Sequence, residues 1–391
     1  MGTHEAEPRL PPGLRSYLEP VFAPPEAALA LPLASEPCAD AWRGYAEEAG
    51  GSPVWHVIRA RLPQLRFHVA EGVSREMAYV AATRRGDLSF APPAEAGLAL
   101  ESADALTVRI HPTAAGDIAV LEPAGRADFE TLLRAFAHRG EPVPVPPAMG
   151  AAIIGGFNNW DRVARLKEAW LAEGNDPVDW PAWFRAEVVP HKALYQDSFI
   201  LLSDSPYSGV PARELGLGEA AWRNASRIIR LEHEATHYVT KRLCGSMRNN
   251  AFDELIADYC GLVAAFGRFD AGLFRRFMDV GSGARNGAEG RIRVYRGVPP
   301  LDDDAFELLG DLLSAAAGNL EVAHNVILGP TLNRPEAGPN DRAAVVLALC
   351  TLSIGDLAAP DAVTRVELAL ASVRTAARRM DRSGQGAGER A

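Results

Sequence analysis

The sequence has few cysteines and no long apolar run, and both absences narrow the class of protein. Four cysteines occur in 391 residues, none of them in a CxxC pair, which excludes a disulfide-stabilised scaffold and a cysteine-based zinc finger. The longest apolar stretches, such as residues 27–34, are far shorter than the roughly 20 residues of a membrane helix. No basic start followed by an apolar run marks a signal peptide. We therefore expect a cytoplasmic protein with no membrane partner.

The sequence also lacks an excess of positive charge. It has 40 Lys and Arg residues against 50 Asp and Glu residues, a formal net charge of −10. Because nucleic acids and anionic membranes attract basic surfaces, this balance argues against either as the main partner. With 48% apolar and 23% charged residues, the composition is that of a globular protein large enough for two or three domains.

The first half of the chain is predicted to be rich in strands. Runs of β-branched and aromatic residues predict strands within residues 1–140, at Val54–Arg61, Leu65–Ala70, Met77–Thr83, Leu98–Leu100, Ala105–His111 and Asp117–Leu121. Asp128 predicts the N-cap of a helix over Phe129–His138. Residues 141–218 are predicted to hold a proline-rich linker and then a strand, Asp197–Asp204, at the edge of the sheet.

The second half is predicted to be helical. Helices are predicted within residues 219–381, at Glu219–Cys244, Phe252–Phe266, Ala271–Asp279, Asp303–Ala317, Asp341–Ile354 and Asp361–Met380. Residues 382–391 are predicted to form a disordered tail. The fold class that follows is α+β with two lobes, a β-rich N-terminal lobe and a mainly helical C-terminal lobe.

Two histidines and a glutamate on the first of these helices form the clearest chemical motif. His233 and His237 are four residues apart, so both imidazoles lie on one helix face and can reach one metal ion. Glu234 points about 100° further round the helix, where it can accept a proton from a water molecule on that metal. This is the HExxH pattern of the zincins. Alternatively, Glu234 pairs with Arg230 on a solvated face and the histidines are hydrogen-bonded core residues.

Two acidic residues on the next predicted helix help to decide between a metal site and a structural helix. Glu254 and Asp258 share one helix face, where two carboxylates repel each other and buried ones each need a partner. A metal bound by His233 and His237 would satisfy Glu254, and Asp258 could accept the free ring N–H of one histidine. Asp253 remains an alternative metal ligand.

Together these residues resemble the gluzincin branch of the zinc metallopeptidases. In that family the third ligand is a glutamate on the following helix, and many members have an acidic residue four positions later. The resemblance implies a zincin-like core in which one Zn²⁺ per chain is bound by His233, His237 and Glu254, with Glu234 as the base and Asp258 orienting a ligand histidine. The sixteen residues between His237 and Glu254 are at the short end for the family. The segment that begins at His237 also resembles a gluzincin-like bacterial family of unassigned function.

The resemblance implies a zinc-dependent hydrolase, a peptidase or amidohydrolase of narrow specificity that acts on a peptide or small amide. Such an enzyme usually adds a donor for the developing oxyanion, for which Tyr295, beside Arg291 and Arg293, is the candidate, and His324 a second one. Other interpretations stay open. The protein could be a metal enzyme that is not a peptidase, including a non-haem Fe²⁺ enzyme, because two histidines and a carboxylate also suit Fe²⁺. It could also be a binding protein with a degenerate site, or the motif could be a coincidence on a structural helix.

Overall fold

The computed structural model describes residues 10–25, 29–246, 250–281, 290–334 and 338–388. The chain divides into two compact units, one formed by residues 34–234 and the other by residues 235–391 with the described part of residues 1–33. The fold is mixed α+β, as predicted, with a four-stranded sheet in the N-terminal half and helices in the C-terminal half. Within the described part of the chain, no helix combines the length and the apolar character that a membrane span requires.

The elements are numbered in chain order. The α-helices are α1 (Pro12–Tyr17), α2 (Pro37–Ala49), α3 (Val54–Arg61), α4 (Met77–Tyr79), α5 (Arg126–Phe136), α6 (Trp160–Ala172), α7 (Trp180–Trp183), α8 (Glu219–Cys244), α9 (Ala251–Phe266), α10 (Ala271–Met278), α11 (Asp303–Ala323), α12 (Gly329–Leu332), α13 (Pro339–Cys350), α14 (Ile354–Ala358) and α15 (Ala362–Gly388). The strands are β1 (Thr107–His111), β2 (Ile118–Glu122), β3 (Ala151–Asn158) and β4 (Gln196–Leu202). Short 3-10 and π turns connect several of them.

The sheet has the strand order β1-β2-β4-β3. The pairs β1–β2 and β3–β4 are antiparallel, and β2–β4 is parallel. The predicted strand Asp197–Asp204 corresponds to β4, but its predicted position at the edge is wrong, because β4 is an inner strand and β3 is at the edge. The sequence of β3 did not predict a strand, since Gly155 and Gly156 lie in its middle. Gly156 has a φ of +77° next to a register shift between Gly155 and Phe157, which is a bulge that glycine accommodates.

The sheet contributes to an apolar core with α2, α3 and α5. The ring centroid of Phe199 in β4 is 4.8 Å from that of Trp42 and 5.1 Å from that of Phe136. Asp197, also in β4, is buried and accepts hydrogen bonds from Trp42 Nε1 (3.0 Å) and Asn159 Nδ2 (2.7 Å). It also forms an ion pair with Arg162, 2.5 Å between Oδ1 and Nη1. These donors compensate a buried charge that would otherwise be costly.

Three further segments that were predicted as strands are wholly or partly helical, and none of them is a strand. Val54–Arg61 is α3, Leu65–Ala70 begins within the 3-10 turn Pro63–Arg66, and Met77–Thr83 covers α4 and part of the π turn Val80–Arg84. In α3 the buried side chains are Val54, Trp55 and Ile58. Their spacing is helical, and packing on that spacing outweighs the strand propensity of β-branched residues. The predicted strand Leu98–Leu100 has no regular structure.

Other predictions in the first half agree more closely with the structure. The predicted strands Ala105–His111 and Asp117–Leu121 correspond to β1 and β2. The predicted helix Phe129–His138 corresponds to α5, but α5 begins at Arg126 after the N-cap Gly125. Asp128 is therefore not the N-cap. Its carboxylate instead accepts hydrogen bonds from the backbone N–H groups of Glu101 and Ser102.

Most helices of the second half were predicted well, but the predicted helix Asp341–Ile354 is wrong in its bounds, because α13 ends at Cys350 and Ile354 begins α14. The bounds of α8 are those predicted, α9 begins one residue earlier than predicted, and α11 continues six residues beyond its predicted end. In the C-terminal unit α11 contacts α10, α14 and α15. α15 extends to Gly388, into the predicted tail, and residues 389–391 lie outside the described residues. Residues 247–249, between α8 and α9, lie outside them as well.

Candidate metal centre

Helix α8 carries the HExxH motif and is fixed by ion pairs to the sheet. Within the unit of residues 34–234, Arg227 of α8 bonds Glu122 at the end of β2, with 2.7 Å between Nε and Oε2. One turn later, Glu232 lies 3.3 Å from His111 at the end of β1. Arg227 and Glu232 thus fasten the helix just before His233, the first histidine of the motif.

Helix α9 supplies acidic residues at its beginning. Its N-cap is Asn250, whose side chain accepts a hydrogen bond from the Phe252 N–H at 2.8 Å. Asp253 and Glu254 occupy the first turn, where the positive end of the helix dipole stabilises negative charge. Asp253 and Asp258 have no exposed surface, and Glu254 is 6% exposed. Three carboxylates are therefore buried along a single helix.

The three predicted metal ligands lie together. His233, His237 and Glu254 are all buried, and one potential ligand atom from each lies within 4.8 Å of the others. His237 Nε2 is 3.4 Å from Glu254 Oε1. Imidazole nitrogens and a carboxylate oxygen are donors that divalent metal ions bind. These three side chains could therefore hold a metal ion.

The other ring nitrogen of each histidine faces a partner outside this group. His237 Nδ1 lies 3.2 Å from Asp253 Oδ1. His233 Nδ1 lies 3.2 Å from the hydroxyl of Tyr207, to which it donates in the tautomer with a proton on Nδ1. Histidines that bind metals are commonly held in this way, with one nitrogen oriented by a partner and the other facing the ion. A metal ion in this group would therefore be bound through Nε2 of both histidines.

The electrostatics of the cluster favour a cation. Burial by itself lowers the pKa of His237, yet the carboxylates of Asp253 and Glu254 hold that pKa well above its ordinary value. Asp253 and Glu254 lie beside His237, and Glu254 and Asp258 form ion pairs with Arg291. A divalent cation that replaced the proton of His237 would also lie beside these carboxylates and be stabilised by their negative charge. The residues present therefore fit a metal ion.

Asp258 and Tyr295 lie around the carboxylate of Glu254. Asp258 Oδ2 accepts a hydrogen bond of 3.0 Å from Arg291, which also donates to Glu254. The carboxylate beside His237 is that of Asp253, whereas Asp258 was predicted to orient a ligand histidine. The side chain of Tyr295 lies beside Glu254 and Arg291, and burial raises its pKa well above the ordinary value of tyrosine. Its hydroxyl therefore stays protonated and can act as a donor.

Glu234 differs from the other acidic residues of the site. It is half-buried and makes no hydrogen bond or ion pair with any of the described residues. The predicted alternative of a direct ion pair with Arg230 is not formed, because the Arg230 guanidinium donates to the backbone oxygens of Ser205 and Pro206, although the charge of Glu234 still acts on it. Arg230 also lies 5.5 Å from the ring centroid of Tyr207, and its burial lowers its pKa to about 10. The carboxylate of Glu234 is therefore available to accept a proton.

His324, the second candidate for an oxyanion donor, bonds residues that do not belong to the metal-binding group. It lies at the start of the π turn His324–Leu328 and is buried. Its Nδ1 is 3.0 Å from the hydroxyl of Tyr259, and it also bonds the backbone of Gly267. These contacts give His324 a packing role.

The sequence pointed to some but not all of the residues around the ligands. Asp253 was considered only as a metal ligand, and Arg291 only as a neighbour of Tyr295. Tyr207 was missed, because it lies 26 residues before His233 in an irregular segment that follows β4. No spacing rule links such a segment to the histidines. The only signal that the sequence offered was general: a polar side chain in a loop near an HExxH helix can reach its histidines.

Comparison with known proteins places the chain in a family. The comparisons with curated proteins and with solved structures found no match. A sequence model of one family, described as a family of unknown function (DUF7005), matches residues 3–361. Because this match covers most of the chain, the protein belongs to the DUF7005 family.

Proposed function

We propose that the protein is a metal-dependent hydrolase that acts on a peptide or small amide bond. The observation that carries this proposal is which side chains of the site have hydrogen-bond or ion-pair partners and which do not. His233, His237 and Glu254 each have a polar neighbour within 3.4 Å, whereas Glu234, next to His233 on α8, is half-buried and forms no hydrogen bond or ion pair with the described residues. A carboxylate without a hydrogen-bond partner, beside a group that could hold a metal, is suited to general-base catalysis.

Zinc is the metal that we propose. Two histidines and one carboxylate form the donor set of several catalytic zinc sites, which leave a position for water or substrate. When bound, zinc would lower the pKa of a water molecule and polarise a carbonyl group. The same donors also suit Fe²⁺ in oxygen-dependent enzymes. Iron in the purified protein would therefore contradict the hydrolase proposal.

The side chains around the ligands have separate tasks in this proposal. Glu234 accepts the proton of the attacking water and passes it to the leaving nitrogen. Tyr295, whose hydroxyl stays protonated and bonds Glu254 and Arg291, would turn from Glu254 to donate a hydrogen bond to the developing oxyanion. Tyr207 and Asp253 hold the two histidines with Nε2 available for the metal.

An extended substrate has a sheet edge available to it. β3 is one of the two edge strands of the sheet, and the residue before it, Gly150, packs against the guanidinium of Arg230. Arg230 lies one helical turn before Glu234 on α8. A peptide could therefore add to β3 by main-chain hydrogen bonds, a common way of binding extended chains.

The test is hydrolysis of an equimolar synthetic peptide library and a panel of N-acyl amides, followed by mass spectrometry. We expect wild-type protein to cleave at least one compound and Glu234→Gln to lose at least 100-fold in rate while it keeps its metal, in line with the typical contribution of a general base. Glu232→Gln is the matched control, because Glu232 lies on the same helix and pairs with His111. A Glu234→Gln variant as active as Glu232→Gln would refute the proposal.

A further inference from the structure

Arg291 connects two buried carboxylates of α9. It is the first residue of the 3-10 turn Arg291–Tyr295. Its Nη1 donates to Asp258 Oδ2 at 3.0 Å, and its Nη2 donates to Glu254 Oε2. The planar guanidinium is well suited to such a pair of contacts, because its donors point in fixed directions.

The two oxygens of Glu254 consequently face different partners. Oε1 lies 3.4 Å from His237 Nε2, in the group of potential metal ligands. Oε2 accepts the hydrogen bond from Arg291. A carboxylate can bind a metal ion through one oxygen or through both. An oxygen that is held by a guanidinium is not free to bind the metal, so Glu254 offers Oε1 alone.

The position of Arg291 is itself fixed by the backbone around it. The hydroxyl of Tyr17 donates to the backbone oxygen of Tyr295 at 2.8 Å. The same hydroxyl accepts a hydrogen bond of 2.9 Å from the N–H of Ala251, the first residue of α9. Tyr17 thereby fastens the turn that carries Arg291 to the helix that carries Glu254.

We propose that Arg291 is a positioning residue that makes Glu254 a one-oxygen metal ligand and so keeps a coordination position open for water or substrate. This inference rests on the proposed metal site and extends it. The guanidinium adds a positive charge beside the metal, which opposes metal binding. A residue whose task was to increase metal affinity would not carry that charge. A residue that limits Glu254 to one oxygen must donate to the other oxygen, as Arg291 does.

The experiment compares wild-type protein with Arg291→Gln and Arg291→Lys. Arg293→Met is the matched control, because it removes an exposed guanidinium from the same turn. Each protein is loaded with zinc to measure metal affinity by chelator competition, and with cobalt to record the visible d–d bands. The binding of acetohydroxamate to the metal-loaded protein then reports whether a coordination position is open.

In Arg291→Gln, we expect Oε2 to become a second metal ligand. Zinc affinity should then equal or exceed that of the wild type, the cobalt bands should weaken as the coordination number rises, and acetohydroxamate should bind about tenfold more weakly, or about 1.4 kcal/mol. Arg291→Lys should change in the same direction by less, because an ammonium group keeps the charge but not the planar fork. The Arg293→Met control should match the wild type.

Wild-type cobalt bands and acetohydroxamate affinity in Arg291→Gln would overturn the inference. Loss of zinc from a folded Arg291→Gln protein would also overturn it, because Arg291 would then be needed to retain the metal. If this variant does not fold, Arg291→Lys decides by the same two measurements. A wild-type protein that binds no metal would refute the proposed function as well. If the wild type binds zinc, a negative result for Arg291→Gln refutes only the proposed role of Arg291.

Discussion

Replacement of Asp253 by asparagine tests how the site holds its second histidine. The carboxylate of Asp253 is fully buried and lies 3.2 Å from His237 Nδ1. Asparagine has nearly the same size and keeps an oxygen that can accept a hydrogen bond, so the change removes the charge and little else. If His237 binds a metal through Nε2, loss of this charge should make the imidazole a weaker ligand.

The size of this effect can be bounded from the geometry. At the observed separation of 3.2 Å, two unit charges interact by about 5 kcal/mol at an effective dielectric constant of about 20. This value is an upper limit, because asparagine retains part of the interaction through its carbonyl oxygen. Changes to groups that orient metal ligands typically lower metal affinity by about 10- to 100-fold, or about 1.4 to 2.7 kcal/mol. We expect the zinc affinity of Asp253→Asn to fall within this range.

The assay is a zinc titration in competition with a chromophoric chelator at one pH, on protein whose fold is checked by far-ultraviolet circular dichroism. Asp128→Asn is the control, because Asp128 is a buried carboxylate that accepts two backbone hydrogen bonds in the unit of residues 34–234. Its substitution should lower stability and leave zinc affinity unchanged. Equal zinc affinities of Asp253→Asn and the wild type would show that Asp253 does not orient a metal ligand.

Three further substitutions test other parts of the structure. Tyr207→Phe removes the hydroxyl beside His233 Nδ1, so zinc affinity measured by chelator competition should fall about tenfold; an unchanged affinity would contradict this role. Asp197→Asn breaks the buried ion pair with Arg162 and should lower the free energy of unfolding by about 3 to 5 kcal/mol in urea titrations. A loss below about 1 kcal/mol would show that the pair is not a major contributor. Gly150→Ala places a methyl group within 2.5 Å of a buried guanidinium and should cost about 1 to 3 kcal/mol in the same assay, whereas wild-type stability would show that the guanidinium can move.

The helical half and the ligand group were accessible from the sequence. Glu219–Cys244 was predicted with the bounds of α8, because an amphipathic pattern over many residues gives a strong signal. Once two consecutive helices were located, the spacing of His233 and His237 and the position of Glu254 identified three side chains that the fold brings together. Helix geometry alone fixes which residues share a face.

The β-rich half was less accessible, because short apolar segments suit a helix or a strand equally well. Val54–Arg61 has β-branched residues but buries a helical face. β3 was not predicted, because two consecutive glycines in its middle are unfavourable for a strand. Tyr207 and Arg291 reach the ligands from irregular turns distant in sequence, and their contacts depend on tertiary structure that no local pattern describes.

The most direct test of the account is the metal content of the purified protein, measured by plasma mass spectrometry on untagged protein prepared without added metal. We predict about one zinc ion per chain in the wild type, the same content in Glu234→Gln, and loss of the metal in His237→Ala. The group of His233, His237 and Glu254 would then be a metal site that does not depend on the proposed base. Protein that contains no stoichiometric metal, even after incubation with zinc, or a His237→Ala variant that retains it, would contradict the account.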